Sequence, residues 1–388
     1  MVLHLLRIHK RLSKADTTRL TGLSANAISM LFKSLEKDGL LLRDAPIRGR
    51  RGQPSIPIKL NPDARHYIGF KIGRHSFDIV ILNFIGSVKA RITQHHRYPT
   101  PDNTVQFIID NTQPLLKSAG LTQENISAFN IATPFELWSW VPDFDAPTQE
   151  MDSWRDFDLI SAITSHVPWP VTLENDCTAA CRAEMVFGPS IEAQDLVYFF
   201  VGTFIGGGVV LNGSVFAGRR GTAGGFGPLR VPHETGGERL VDHASLVVLE
   251  HLLAIRDAKL AITIYSEDSD WSTFEPEVST WITRVGRSLG HAIVSTQAVI
   301  DFETIIIDGA FPIEIRERLV KEVIFQFNQL DLQGIVHPEI KAGNFGPISR
   351  ALGAGAYQIS NDFMINQNTL LRGTPAIAYK EHLDKPMV

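Results

Sequence analysis

Residues 67–86 read YIGFKIGRHSFDIVILNFIG. Two runs rich in Ile, Val and Phe flank a basic, hydroxyl-bearing turn at Gly73, and a second turn follows at Gly86. With VKARITQHH they make three short strands joined by tight turns. Beyond them TVQFIIDNTQPLLKSAG reads as a helix, ISAFNIATP as a strand, FDLISAITSHV as a helix and PVTLE as a strand. DCTAACRAEMVFG is a helix ending at a glycine, and DLVYFFVGTFIGGGVVLNGSVFAGRRG is a strand pair around a glycine-rich turn. Helices are expected over VDHASLVVLEHLLAIRDA and WITRVGRSLGHAIVSTQAVI, then a buried strand at FETIIIDGA and a last helix from ALGAGAYQIS. The same theme played twice predicts an α/β body, residues 63–388, of two lobes with a cleft between them.

Upstream the character changes. The 388-residue chain has a formal net charge of −5, but residues 1–60 hold twelve Lys and Arg against four acids. A basic head on an acidic body points to a polyanionic partner for the head alone. Met1–Lys10 is compatible with a short helix. SKADTTRL begins with Ser13 and Asp16 at capping-box spacing, and TGL is a tight turn. Ser24 caps a helix whose Ile28, Leu31, Phe32 and Leu35 form the apolar face. LLLR and SIPIKL are short strands around APIRGRRGQP. This order predicts a winged helix-turn-helix over residues 1–62. Ser24, Asn26, Ser29 and Lys33 would face the major groove, and Arg48, Arg50 and Arg51 of the wing would face phosphates or a narrow minor groove.

Cys177 and Cys181 lie four apart in a helix, a poor geometry for a bridge, so two reduced, small buried residues are expected. The N-terminus is too short and too charged for a signal peptide, and the longest apolar run is broken by four glycines. A cytoplasmic protein without membrane contact is expected.

Three segments meet in the cleft if the lobes are of the ribonuclease-H-like/actin-like type. They are the turn at Gly73, the stretch GTFIGGG with Gly202, Thr203, Gly206 and Gly207, and END at residues 174–176. Glycine-rich turns present amides to phosphate or hydroxyl oxygens, and an aspartate at a helix start can take a proton from a sugar hydroxyl. ENDCTAACRAEMVFG, VGTFIGGGVVLNGSVFAGRRGTAGGFG and LGAGA resemble the repressor/open-reading-frame/kinase (ROK) family, and the head resembles the operator-binding domain of its repressors. The resemblance covers nearly the whole chain. It implies an ASKHA-type ROK domain that either phosphorylates hexoses with ATP and magnesium or serves a repressor as a sugar sensor.

The chain departs from the kinase pattern. Where that pattern has D-x-G-x-T, Lys71 to His75 reads KIGRH, with Lys71 for the metal-holding carboxylate. Lys71 is expected to pair with Asp176 across the cleft or to extend its amine out of the strand. Where the resemblance implies G-x-A-G-E-x-G-H, Gly221 to Pro228 reads GTAGGFGP, with Gly225 for the Glu and Pro228 for the His. The Glu that closes the family's sugar site falls near Val241, and the zinc-binding cysteines are missing. Asn175 and Asp176 remain as ligand-binding residues. Glu136 and Trp138, with Phe135 and Trp140, replace a small turn and could rebuild a sugar site; His233, Asp242 and His243 are further candidates.

These readings point to a sugar-responsive transcriptional regulator, most simply a repressor acting as a dimer or dimer of dimers on operator DNA, with no catalytic residues, cofactor or metal. Two alternatives stay open: an active sugar kinase with a fused DNA-binding head, and a ligand-blind regulator whose body only dimerises.

Overall fold

The computed structural model of the protein describes residues 1–46, 56–139, 146–233 and 236–365. At the N-terminus come α1 (Val2–His9), β1 (Arg11–Leu12), α2 (Lys14–Thr21), α3 (Ala25–Lys37), β2 (Leu41–Arg43) and β3 (Ile58–Leu60). The three strands form an antiparallel sheet in the order β1-β3-β2. Ser13 and Asp16 form the expected capping box, Gly22 ends α2 in the left-handed region, and Ser24 Oγ accepts from Ala27 N. Leu31, expected inside, is 40% exposed, while Ile28 and Phe32 are fully buried. Arg48, Arg50 and Arg51 lie outside the described residues.

The first lobe contains β4 (His66–Ile72), β5 (Ser76–Asn83), β6 (Val88–His95), α4 (Pro101–Ala119), β7 (Ile126–Thr133), α5 (Thr148–Asp152), α6 (Leu159–Thr164) and β8 (Val171–Asn175). Its sheet runs β6-β5-β4-β7-β8. From β8 the chain crosses through α7 (Asp176–Phe187) to the second lobe: β9 (Leu196–Val201), β10 (Ile205–Leu211), β11 (Ser214–Val215), β12 (Arg230–His233), β13 (Gly236–Arg239), α8 (Leu246–Arg256), α9 (Ala258–Ala261), α10 (Glu277–Gln297), β14 (Thr304–Gly309), α11 (Ile313–Phe327) and β15 (Glu339–Ala342). Its sheet runs β11-β10-β9-β14-β15. Finally α12 (Ser349–Phe363) returns to the first lobe. The expected helix from Val241 starts only at Leu246, because Leu240–Asp242 form a 3-10 turn capped by Asp242 on Arg239 N.

Strand alternation sorts the layers. In β9, Val197, Phe199 and Val201 pack with Leu249, Trp281 and Leu319 from α8, α10 and α11. Leu196, Tyr198 and Phe200 face Ala180, Cys181 and Met185 of α7. In β4, Ile68, Phe70 and Ile72 face α4 and α6 through Phe107, Leu115 and Ile163. Tyr67, with Leu82 of β5, faces Ala351, Ala356 and Ile359 of α12. Helices therefore cover both outer faces, while α7 and α12 lie together between the sheets.

The described N-terminal helices and strands do not hang on a linker. Val2, Leu6, Ile28, Phe32 and Leu60 share one apolar core with Tyr67, Leu82, Phe84 and α12. No helix among the described residues is long and apolar enough to cross a membrane.

Candidate functional site: the cleft between the lobes

A cavity of about 240 Å³ opens between the lobes. One wall comes from the first lobe and the start of α12, with Lys71, Arg74, His75, Asp78 and Arg350. The other comes from the second lobe, with Thr203, Tyr265, Trp271 and Phe311. The site thus has charged side chains of both signs on one side and mainly aromatic ones on the other.

Lys71 neither pairs with Asp176 nor reaches solvent. It is 3% exposed, and its Nζ donates to Asp78 Oδ2 (2.5 Å) and Ser76 Oγ (2.7 Å). The cause is local: the β4–β5 hairpin sets Lys71 directly opposite Asp78. Asp78 also accepts from Arg91 Nη2 (2.6 Å) and Thr93 Oγ1 (2.6 Å) on β6. Burial would raise this carboxyl, but Lys71 and Arg91 outweigh it and hold Asp78 far below the usual carboxylate range. Arg91 then reaches across the cleft, Nη1 donating to Glu267 Oε2 at 2.8 Å.

Asp176 is 5% exposed at the start of α7, where Arg350 Nη1 donates to its Oδ2 at 3.2 Å. Arg74 lies on the face of Phe204, 4.5 Å from the ring centroid, and in the field of Asp176. Burial lowers its guanidinium to about 10, with Asp176 opposing, so it stays charged at neutral pH. His75 stacks on Tyr265 with 4.0 Å between ring centroids. Asn175 is spent on the helix: its Oδ1 accepts from Cys177 N (3.0 Å) and Thr178 N (3.1 Å).

The glycine-rich stretch has a different role from the one expected. Only Gly202–Phe204 form a turn. Its carbonyls at Gly202 and Thr203 accept from the amides of Leu246 and Val247 at the start of α8. Gly206 and Gly207 are residues of β10, not a phosphate turn. A Cβ on Gly206 would come within 2.7 Å of Cys177 Sγ, and one on Gly208 within 2.4 Å of Cys181 Cβ. The glycines let α7 lie directly on the strand. Both cysteines are free thiols, with Cys181 buried, in this packing role.

Of the remaining candidates, Glu136 adopts a positive φ of 47° and Trp138 packs at the edge of the first-lobe core with Arg155 over its ring at 5.5 Å. Gly225 is exposed in a turn closed by its own N–H on Thr222 O at 3.1 Å. Asp242 caps a 3-10 turn and binds Arg239, while His243 Nε2 lies 2.7 Å from Glu238. Trp140 and the side chain of His233 fall outside the described residues. Among the described residues, no group of three or more His, Cys, Asp or Glu is placed to hold a metal ion. Sequence reasoning misses Arg74, Asp78, Arg91, Glu267 and Arg350. Of these, Asp78 alone carries a usable signal, as a lone acid inside an apolar strand opposite a lysine.

Burial, reinforced by Arg74 and Lys71, lowers His75 to about 3, and burial with Lys71 and His75 does the same to His96. Both stay neutral in the fold, whereas an unfolded histidine protonates near 6.5. Their contribution to stability is complete above pH 6.5 and is lost on acidification, at about 1.4 kcal/mol per pH unit for each. Glu184, raised by burial to about 7 from 4.5, gains its proton in the fold and offsets one of the two over that interval. Thermal unfolding should show Tm falling between pH 6.5 and 4.5, with a shallower fall in His75→Asn. A flat profile contradicts the burial of these imidazoles.

Residues 67–240 match the family model described as ROK family. The xylose repressor of Bacillus subtilis (strain 168) is 22% identical over 57% of this chain and 56% of its own length. The chain thus spans little more than half of that relative. A ROK family transcriptional regulator, a homologue of the Escherichia coli MLC protein, has a similar structure, with a TM-score of 0.63 at 19% identity. The match covers 91% of this chain and 93% of that one. A ROK family glucokinase from Streptomyces griseus, solved with glucose and AMPPNP, gives a TM-score of 0.56 at 19% identity over 75% of this chain and 98% of its own. At these identities the likeness establishes the fold, two actin-like lobes.

Proposed function

We propose, from the match of residues 67–240 to the ROK family model, that the protein is a cytoplasmic, DNA-binding transcriptional regulator whose two-lobed body senses a carbohydrate or carbohydrate derivative. Residues 1–62 act as a winged helix-turn-helix, and residues 63–388 as the effector domain. The observation that carries this is the head. Helix α3 exposes Asn26 and Lys33 on the side opposite Ile28 and Phe32, and the sequence of the same head carries the basic stretch RGRR at 48–51. A helix of this kind enters the major groove, and a dimer would present two of them to a palindromic operator. The regulator related to MLC matches 91% of the chain and the glucokinase 75%, a difference comparable in length to the head.

The cleft supports a sensor over a kinase. Phosphoryl transfer needs carboxylates free to hold metal-bound phosphates and to accept the sugar proton. Asp78 is already held by Lys71, Arg91 and Thr93, and Asp176 by Arg350. A magnesium–nucleotide does not fit this set. Because Lys71 and Arg350 are each paired with a carboxylate, Asp78 and Asp176, the cleft wall does not by itself favour an anionic over a neutral sugar.

The test joins duplex selection from random sequence to a thermal-shift screen of neutral and anionic sugars. A ligand of the folded body must raise Tm. Replacing Arg48, Arg50 and Arg51 together by Ala should weaken all duplexes about tenfold or more and flatten the salt dependence. Hexose phosphorylation with ATP and magnesium should not exceed that of Asp176→Asn. Turnover that depends on Asp176 favours the kinase reading instead.

A further inference from the structure

The geometry points to Arg7 as a positioning residue that ties the DNA-reading head to the cleft, through α7 and α12 acting as one rigid pair. This rests on the regulator reading given above.

Both helices begin in the cleft and end at the head. Asp176 is the first residue of α7 and Arg350 the second of α12, and the ion pair between them staples the two starts together. At the far ends, Phe187 closes α7 and Phe363 closes α12. The 12 residues of α7 span about 18 Å. Between these ends the backbones touch: a Cβ on Gly353 of α12 would fall 1.6 Å from Ala179 O of α7. Two helices packed this closely move together and do not slide.

The far end of α7 meets one cation of the head directly, and the far end of α12 meets it through Phe84. Arg7 of α1 is 4% exposed, and its guanidinium lies 5.1 Å from the Phe84 ring centroid and 5.8 Å from that of Phe187. Its Nη2 donates to Phe84 O at 3.0 Å. Phe363 meets Phe84 edge-on with 5.0 Å between centroids. Arg7 thus reads the β5–β6 turn and the end of α7 at once.

Stability alone does not account for this choice of residue. Nη1 of Arg7 is buried without a hydrogen-bond partner among the described residues. A methionine of similar length would fill the same space without the desolvation cost. A directional carbonyl bond and two ring faces instead set the angle at which α1, and with it α2 and α3, leaves the body. Closure or opening of the lobes, which must turn α7 and α12, is then delivered to the head.

Hydrogen exchange on the full chain tests this without knowing operator or effector. Asp176→Asn and, separately, Arg350→Gln release the cleft staple. Each should speed amide exchange in α1 about fivefold or more while leaving α11, remote in the second lobe, unchanged. In an Arg7→Met background the same cleft substitutions should no longer act on α1, which a double-mutant cycle reads directly. The proposal is overturned if α1 exchange ignores both cleft substitutions, if α1 and α11 accelerate together, or if Arg7→Met leaves the effect intact. A chain that shows the coupling but binds no duplex supports the coupling and sinks the regulator reading.

Discussion

Gly353→Ala is expected to destabilise the protein by about 3 kcal/mol or more, read as a lowered urea midpoint and Tm. The added methyl would lie 1.6 Å from the carbonyl oxygen of Ala179 and 2.3 Å from its carbonyl carbon. Neither atom can rotate aside, because both belong to the backbone of α7, itself pressed on β10. The only relief is to lift α12 from α7, which parts the core shared by Tyr67, Leu82, Ala351 and Ile359. Gly225→Ala is the control: it is exposed, and its Cβ would meet only Thr222 O, at 3.1 Å. That change should cost less than about 1 kcal/mol. Equal effects at the two positions would mean that the helices are not in backbone contact.

Asp78→Ala should cost about 3–5 kcal/mol, because it strands the buried Lys71 ammonium without a counter-ion. Lys71 has Ser76 Oγ as its other hydrogen-bond partner, and Arg91 keeps Glu267. Replacing the pair together, as Lys71→Met with Asp78→Leu, should recover most of that loss, since removing both charges also removes their desolvation cost. Urea unfolding of the two single variants and the double gives the coupling. If the double is no better than Asp78→Ala alone, the pair is not the closed unit its geometry indicates.

The hairpin at 67–83 is legible in the chain as two β-rich runs around a short turn, and the turn dictates which residues face each other. Lys71 and Asp78 stand equidistant from it, so their pairing follows from the hairpin alone. A motif comparison points Lys71 to Asp176 instead, because it weighs the cleft segments against one another and passes over the nearer acid. The glycines of GTFIGGG show a related difficulty. A run of glycine signals close backbone approach, but not whether the neighbour is a phosphate or a helix. Here Cys177 and Cys181 of α7 are the neighbours.

Short-range rules therefore carry the strands, the helix caps at Ser13 and Ser24, the repeated lobe theme and the basic head, because each depends on residues within a few positions of one another. Contacts between distant segments obey no such rule. Arg350 meets Asp176 across 174 residues, and Arg7 meets Phe84 across 77. Neither pair has a spacing signature, since what brings them together is the packing of α7 and α12 between two sheets. The chain alone specifies that charges must be partnered when buried; folding in three dimensions selects the partner.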